Sequence, residues 1–394
     1  MPTRLRHRSS ILLLFGPLTA VLAQTPAPTI APGWELDTSA APGAWNPHRA
    51  AILETWPLWR DYLSARLRGT ERAESWLPDE RTRWPEYDLT GFLAYQTGAG
   101  MAVTVLSIEA AQPDAPDTLV IRTLFTRVST DSATKAPVVR PLALTRVYAV
   151  RSSSGWRLAN AYPHVTSGWA RVKQGPITFI YSPTIRPDAA RRRAASRFVD
   201  SLAAAFHLEP PKEIEYVVTS SAEEAYRVMG FDYAVVGSTT AGKTFVADHL
   251  IVAGDPRQGE AYFHELAHLV LAPFAPPEST PGILNEGLAT WAGGSLGYSY
   301  RAVLEQYALF VRGHPDVTLD ALIDDQGSED LGFRPGGALL CELVSEIRGL
   351  AGVRTLLAEA RSGDLRHAAE AATGLTWAEF AAKWRARARS GPER

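Results

Sequence analysis

A single cysteine leaves this chain no internal disulfide, so its stability has to come from a buried core. That residue, Cys341, stands in the apolar run "GALLCELV", where a buried thiol on a helix is expected. No segment approaches the ~20 consecutive apolar residues of a membrane-spanning helix. The longest such run, "ILLLFGPLTAVLA", ends at Ala23 and is too short. Positive charge is also not in excess, since 40 Lys and Arg stand against 42 Asp and Glu. That balance argues against nucleic acid as the main partner. There is no internal repeat.

What the N-terminus does have is the pattern of a targeting segment. Arg4, Arg6 and Arg8 precede the apolar run, and Val21-Leu22-Ala23 supplies small residues where a signal peptidase reads. Residues 1–23 are therefore expected to be a cleaved signal peptide, and the protein to be exported, periplasmic or extracellular. No cysteine follows Ala23 to carry a lipid. Cleavage removes three arginines and no acid, which moves the formal net charge from −2 to −5. A Pro-rich spacer follows over 24–33.

Two textures come next. Residues 34–170 hold eight of the eleven tryptophans. They read as a helix, "RAAILETWPLWRDYLSARL", then strand-like runs at "GFLAYQ", "MAVTVLSIEA", "TLVIRTLFTRV" and "PLALTRVYAVRSSSGWRLAN". In the last, Ser152 to Gly155 separates two alternating apolar runs and predicts a hairpin. A helix followed by a meandering antiparallel sheet resembles the cystatin and nuclear-transport-factor-like cone in architecture, and implies a binding or positioning module. Residues 171–390 read first as strands around the helix "DAARRRAASRFVDSLAAAF", then almost wholly as helices. Strands followed by helices predict an α+β protein of two domains. Arg191, Arg192 and Arg193 read as a solvated helix face.

The chemistry is concentrated in "YFHELAHLVL". His264 and His268 are four apart, about 400° around a helix, so both imidazoles leave one face one turn apart. That spacing suits two nitrogen ligands of one zinc ion. Glu265, offset by about 100°, can reach the attacking water without being a ligand. Two histidines on an apolar helix can also be ordinary core residues, so a third ligand has to decide. "GILNEGLATWAGG" offers Glu286 on a second helix, after a loop with four prolines. The seventeen residues between His268 and Glu286 are enough for the chain to turn back. Two histidines, a glutamate and an open fourth position describe a catalytic zinc site.

"HELAH" together with "ILNEGLAT" resembles the gluzincin metallopeptidases, in the peptidase-MA-like group of the aminopeptidase N type. The likeness covers roughly residues 175–388. It implies a thermolysin-like domain with a small mixed sheet and a helical C-terminal half. It further implies Zn2+ held by His264, His268 and Glu286, Glu265 as general base, and a peptide or protein substrate. Asn285 and Thr290 fall on family positions beside the third ligand. Two departures stand out. The Gly-x-Met-Glu-Asn strand that holds a substrate's free amine is missing, which argues against a strict aminopeptidase. A family tyrosine that steadies the tetrahedral intermediate corresponds here to Phe333 in "FRPGGALLCEL", whose ring cannot donate a hydrogen bond. Tyr298, Tyr300, Tyr307 and His314 are candidate replacements, and His249 is a candidate for lining the cleft. The rival reading that Phe333 motivates is an exported zinc-binding scaffold of weak or no activity.

One further motif competes. "GSTTAGKT", residues 237–244, fits the phosphate-loop pattern. A working phosphate loop leads into a helix, but "TFVADHLIV" alternates like a strand. The segment is therefore expected to be a β-hairpin tip with Lys243 in solvent, and the relatives imply that the following strand borders the substrate cleft.

Overall fold

The structure is a computed structural model that describes residues 46–67, 73–83, 101–112, 117–234, 242–324 and 332–392. The expected signal peptide, the spacer, the "GFLAYQ" strand and residues 237–241 lie outside them. Among the described residues the fold mixes helices with two five-stranded sheets, and its C-terminal half is mostly helical. No helix among the described residues is long and apolar enough to cross a membrane. The chain divides into two compact units.

One unit comprises Ala23–Arg192 and Glu213–Glu260. It opens with helix α1 (Arg49–Leu67) and the short α2 (Pro78–Arg83). Strands β1 (Met101–Ala110), β2 (Thr118–Thr130), β3 (Pro137–Ser152) and β4 (Gly155–Ala159) then form an antiparallel meander. The β3–β4 hairpin turns at Ser152–Gly155, as the sequence predicts. Burial alternates over Ala143–Val147 of β3, as expected for a strand with one covered face. Ile52, Trp59, Tyr62 and Leu63 of α1 belong to the same core as Val105, Leu119, Ile121 and Phe125 of the sheet. The indole of Trp59 donates to the Thr123 hydroxyl at 2.9 Å, so this large side chain is buried without an orphaned donor.

After the short helix α3 (Ala161–Val165) comes a second, mixed sheet in the order β5-β6-β7-β10-β9. Its strands are β5 (Ala170–Gln174), β6 (Ile177–Tyr181), β7 (Ile214–Val218), β9 (Gly242–Phe245) and β10 (Leu250–Ala253). β6, β7 and β10 run parallel, with antiparallel strands at both edges. Helix α4 (Ala189–Ala205) connects β6 to β7 and is shared between the two units.

Two expectations are corrected here. The strands flanking the phosphate-loop look-alike are not a hairpin. β8 (Phe231–Ala234), which follows α5 (Ala222–Val228), pairs with β3 of the first sheet, whereas β9 pairs with β10. The reason is electrostatic as well as steric. Asp232 on β8 accepts from Arg122 of β2 at 3.2 Å and from Arg146 of β3 at 2.5 Å, which ties β8 to that sheet. The run "TFVADHLIV" is also two strands rather than one. It turns over Val246–His249, where His249 takes φ +50°, and its Nδ1 meets the Glu213 carbonyl at 3.1 Å. His249 is exposed in this turn.

The other unit comprises Arg193–Lys212 with Ala261–Arg394. Its helices are α6 (Phe263–Leu271), α7 (Gly282–Gly293), α8 (Tyr300–Gly313), α9 (Leu319–Asp324), α10 (Phe333–Ala360, kinked at Gly349), α11 (Leu365–Thr373) and α12 (Trp377–Ser390). α12 starts with a capping box of Thr376 and Glu379, as expected from their spacing. Cys341 is fully buried on α10, and burial pushes its thiol up to about 12.

Candidate metal centre

Helix α6 is apolar on most of its surface and buries Leu266, Ala267, Leu269, Val270 and Leu271. That burial fixes its rotation, and with it the direction of the two imidazoles. The ring planes of His264 and His268 are nearly perpendicular, with centroids 4.8 Å apart and Nε2 atoms 3.2 Å apart. α7 folds back beside α6 and brings in Glu286. One carboxylate oxygen lies 3.2 Å from His264 Nε2, and the other 3.5 Å from His268 Nε2. One ligand atom from each of the three residues lies within 4.8 Å of the other two. His264 and Glu265 are buried; His268 and Glu286 are half-buried.

The back of His264 is held by the chain reversal after α7. Its Nδ1 faces the Gly294 carbonyl at 2.9 Å. A carbonyl only accepts, so in the neutral ring Nδ1 carries the hydrogen and Nε2 presents a lone pair. That lone pair points at a carboxylate oxygen and at a second imidazole nitrogen. Lone pairs converging at 3.2–3.5 Å repel one another unless a proton or a metal cation lies among them. Two imidazoles and a carboxylate are also the donor set zinc takes in open sites. The residues present therefore fit the metal.

Helix α10 closes the arrangement from a distant part of the chain. Gly287 faces Gly337, and the two helices cross with backbone against backbone. The crossing places the first turn of α10 over Glu286, where Arg334 Nε lies 3.0 Å from a carboxylate oxygen. Burial favours the neutral acid at Glu286, but the Arg334 guanidinium and the two imidazoles, where these carry a proton on Nε2, outweigh it. The carboxyl is held well below its usual range. A cation in the first turn opposes the helix dipole by about 0.3–1 kcal/mol, which the ion pair with Glu286 offsets. Sequence reasoning missed Arg334. The signal was there: an arginine opening a helix beside Phe333, where the dipole disfavours it.

The structure also places the other candidates. Thr290 is fully buried, and its hydroxyl has no hydrogen-bond partner among the described residues. Tyr300 donates to Glu342 at 3.0 Å. The Tyr307 hydroxyl is buried and unpartnered on the side of α10 occupied by Gly336 and Trp384, not the side facing α7. His314 is exposed at the end of α8, stacked on Phe310, with Nδ1 2.9 Å from the Phe310 carbonyl. Tyr298 is half-exposed, and its backbone pairs with Ser295 in a tight turn. Phe333, half-buried, is the first residue of α10.

No family model matches the chain, and no curated protein does. Among solved structures it is similar to an M1 zinc metallopeptidase from Deinococcus radiodurans, at 12% identity and TM-score 0.34 over 74% of this chain. A mutant of an M1 zinc metallopeptidase from the same organism, bound to a Tyr-Ser-Ala substrate, is similar at 13% identity and TM-score 0.34, again over 74% of this chain. This chain spans 64% of the length of each. Likeness at that level is distant.

Proposed function

We propose that the protein is a zinc-dependent peptidase of gluzincin type, with His264, His268 and Glu286 holding the metal and Glu265 acting as general base. The observation that carries this reading is the convergence of two imidazole nitrogens and one carboxylate within 4.8 Å of one another. Zinc bound there would polarise a scissile carbonyl and make water a competent nucleophile near neutral pH.

The chain's own residues do the rest. α6 holds both imidazoles on one face, and the Gly294 carbonyl fixes the tautomer of His264. Glu286, kept ionised beside Arg334, contributes a negative ligand without a proton to displace. Glu265 sits on the next residue of the same turn, buried to 7% exposure, so its carboxylate is screened from bulk water. It takes the proton of the attacking water and returns it to the leaving amine. The closed chemical sum is peptide plus water giving acid plus amine, with Glu265 unchanged. Export of the protein and the binding role of the N-terminal region belong to the same proposal.

The test is Glu265→Gln. The variant is expected to bind zinc as the parent does and to lose hydrolysis of a mixed peptide library. Cleavage at the parental rate would overturn the assignment of the base. A zinc-loaded parent inert on peptides and proteins alike would favour a binding scaffold instead.

A further inference from the structure

We propose that Arg334 is a catalytic residue of this site: the donor that stabilises the negative charge developing on the carbonyl oxygen of a bound peptide. The proposal rests on the peptidase reading above. Hydrolysis through a tetrahedral intermediate needs a hydrogen-bond donor aimed at that oxygen, and the low-dielectric site makes such a donor worth more than in water. Phe333, at the first position of α10, has no hydrogen to donate. Tyr300 donates to Glu342, the Tyr307 hydroxyl is buried away from α7, and the His314 ring meets the Phe310 carbonyl of its own helix.

Arg334 meets the requirements that these do not. Its Nε is 3.0 Å from the carboxylate oxygen of Glu286 that also lies 3.2 Å from His264 Nε2, so the guanidinium is one carboxylate away from the metal position. Its side chain is 38% exposed, whereas those of His264 and His268 are 4% and 11% exposed. The back of His264 is closed by the Gly294 carbonyl. Arg334 is therefore the most solvent-accessible of the side chains gathered at Glu286. Its backbone is held in place, because α10 crosses α7 at Gly287 and Gly337 with no room even for a methyl group. A guanidinium has five N–H donors in one plane, so it can keep Glu286 with Nε while presenting another N–H to an oxygen. It donates hydrogen bonds and transfers no proton.

A clamp on Glu286 and a donor to substrate give different signatures. For a donor, Arg334→Ala leaves zinc affinity, measured by chelator competition, within about threefold of the parent. kcat falls roughly 10²–10³-fold with KM little changed. Affinity of the zinc-loaded protein for a phosphinic pseudo-peptide, whose anionic oxygen mimics the developing charge, falls roughly 10²-fold. Arg334→Lys, which keeps the charge, regains part of both losses. Arg334→Gln serves if the alanine variant unfolds. Unchanged pseudo-peptide affinity in Arg334→Ala overturns the proposal. So does loss of zinc itself, which would make Arg334 a clamp. If the parent cleaves no peptide, the peptidase reading fails, and the pseudo-peptide titration still decides whether Arg334 contacts an anion at the metal.

Discussion

Replacing Gly287 by alanine tests the helix crossing that assembles the site. A Cβ there would lie 2.5 Å from the Gly337 carbonyl carbon, 2.7 Å from its oxygen and 2.9 Å from the Ala338 nitrogen. All three are backbone atoms of α10, so no rotamer change relieves the clash. Ordinary carbon contacts start near ~3.5 Å, so α7 and α10 must part by roughly 1 Å. Overpacking of this kind costs about 1–3 kcal/mol. The better helix propensity of alanine returns up to about 1 kcal/mol, leaving a net loss of about 1–2 kcal/mol. At about 2–4 °C per kcal/mol for a unit of this size, Tm falls by roughly 2–8 °C. The same shift stretches the 3.0 Å contact between Arg334 and Glu286 beyond bonding distance, so turnover falls as well. Gly313, in the last turn of α8, is the control, because a Cβ there meets nothing within 4 Å. Gly313→Ala is expected to leave Tm unchanged or raise it. Thermal unfolding of both variants by circular dichroism decides. Equal Tm shifts in the two variants would refute the claim of a close crossing.

Other expectations concern single groups. Thr376→Ala removes the capping box of α12 and is expected to cost about 1 kcal/mol, read from the denaturation midpoint. The Glu80 carboxyl is raised to about 7, chiefly by burial, against a hydrogen bond from the Asn160 amide. A raised carboxyl favours the folded state below the unfolded value of 4.5 and loses that contribution as pH rises towards 7. Glu80→Gln should flatten the fall in Tm between those pH values, and an unchanged slope would count against the burial argument. Cys341 should resist thiol reagents in the native protein and react only after unfolding, since it is fully buried with its thiol pushed up to about 12.

Much of this architecture is legible in the residues, and the reasons for the rest are specific. α1 follows from its long helical run, and the β3–β4 turn from serines and a glycine between alternating strands. The spacing of His264 and His268 needs only helix geometry, and Glu286 only a loop long enough to return. What fails is what depends on distant partners. "TFVADHLIV" alternates on both sides of its turn, so periodicity hides the break at His249. β8 leaves its sequence neighbour because Arg122 and Arg146, far back in the chain, hold Asp232. Arg334 reaches Glu286 only because two glycines on separate helices meet, a contact that no local pattern announces.

The central claim is that His264, His268 and Glu286 hold one zinc ion. Calorimetric titration of zinc into the metal-free protein tests it most directly. The account predicts one equivalent bound by the parent, and none at comparable affinity by His268→Ala or Glu286→Ala, each checked for folding by circular dichroism. One equivalent bound equally tightly by those variants, or none bound by the parent, would contradict it.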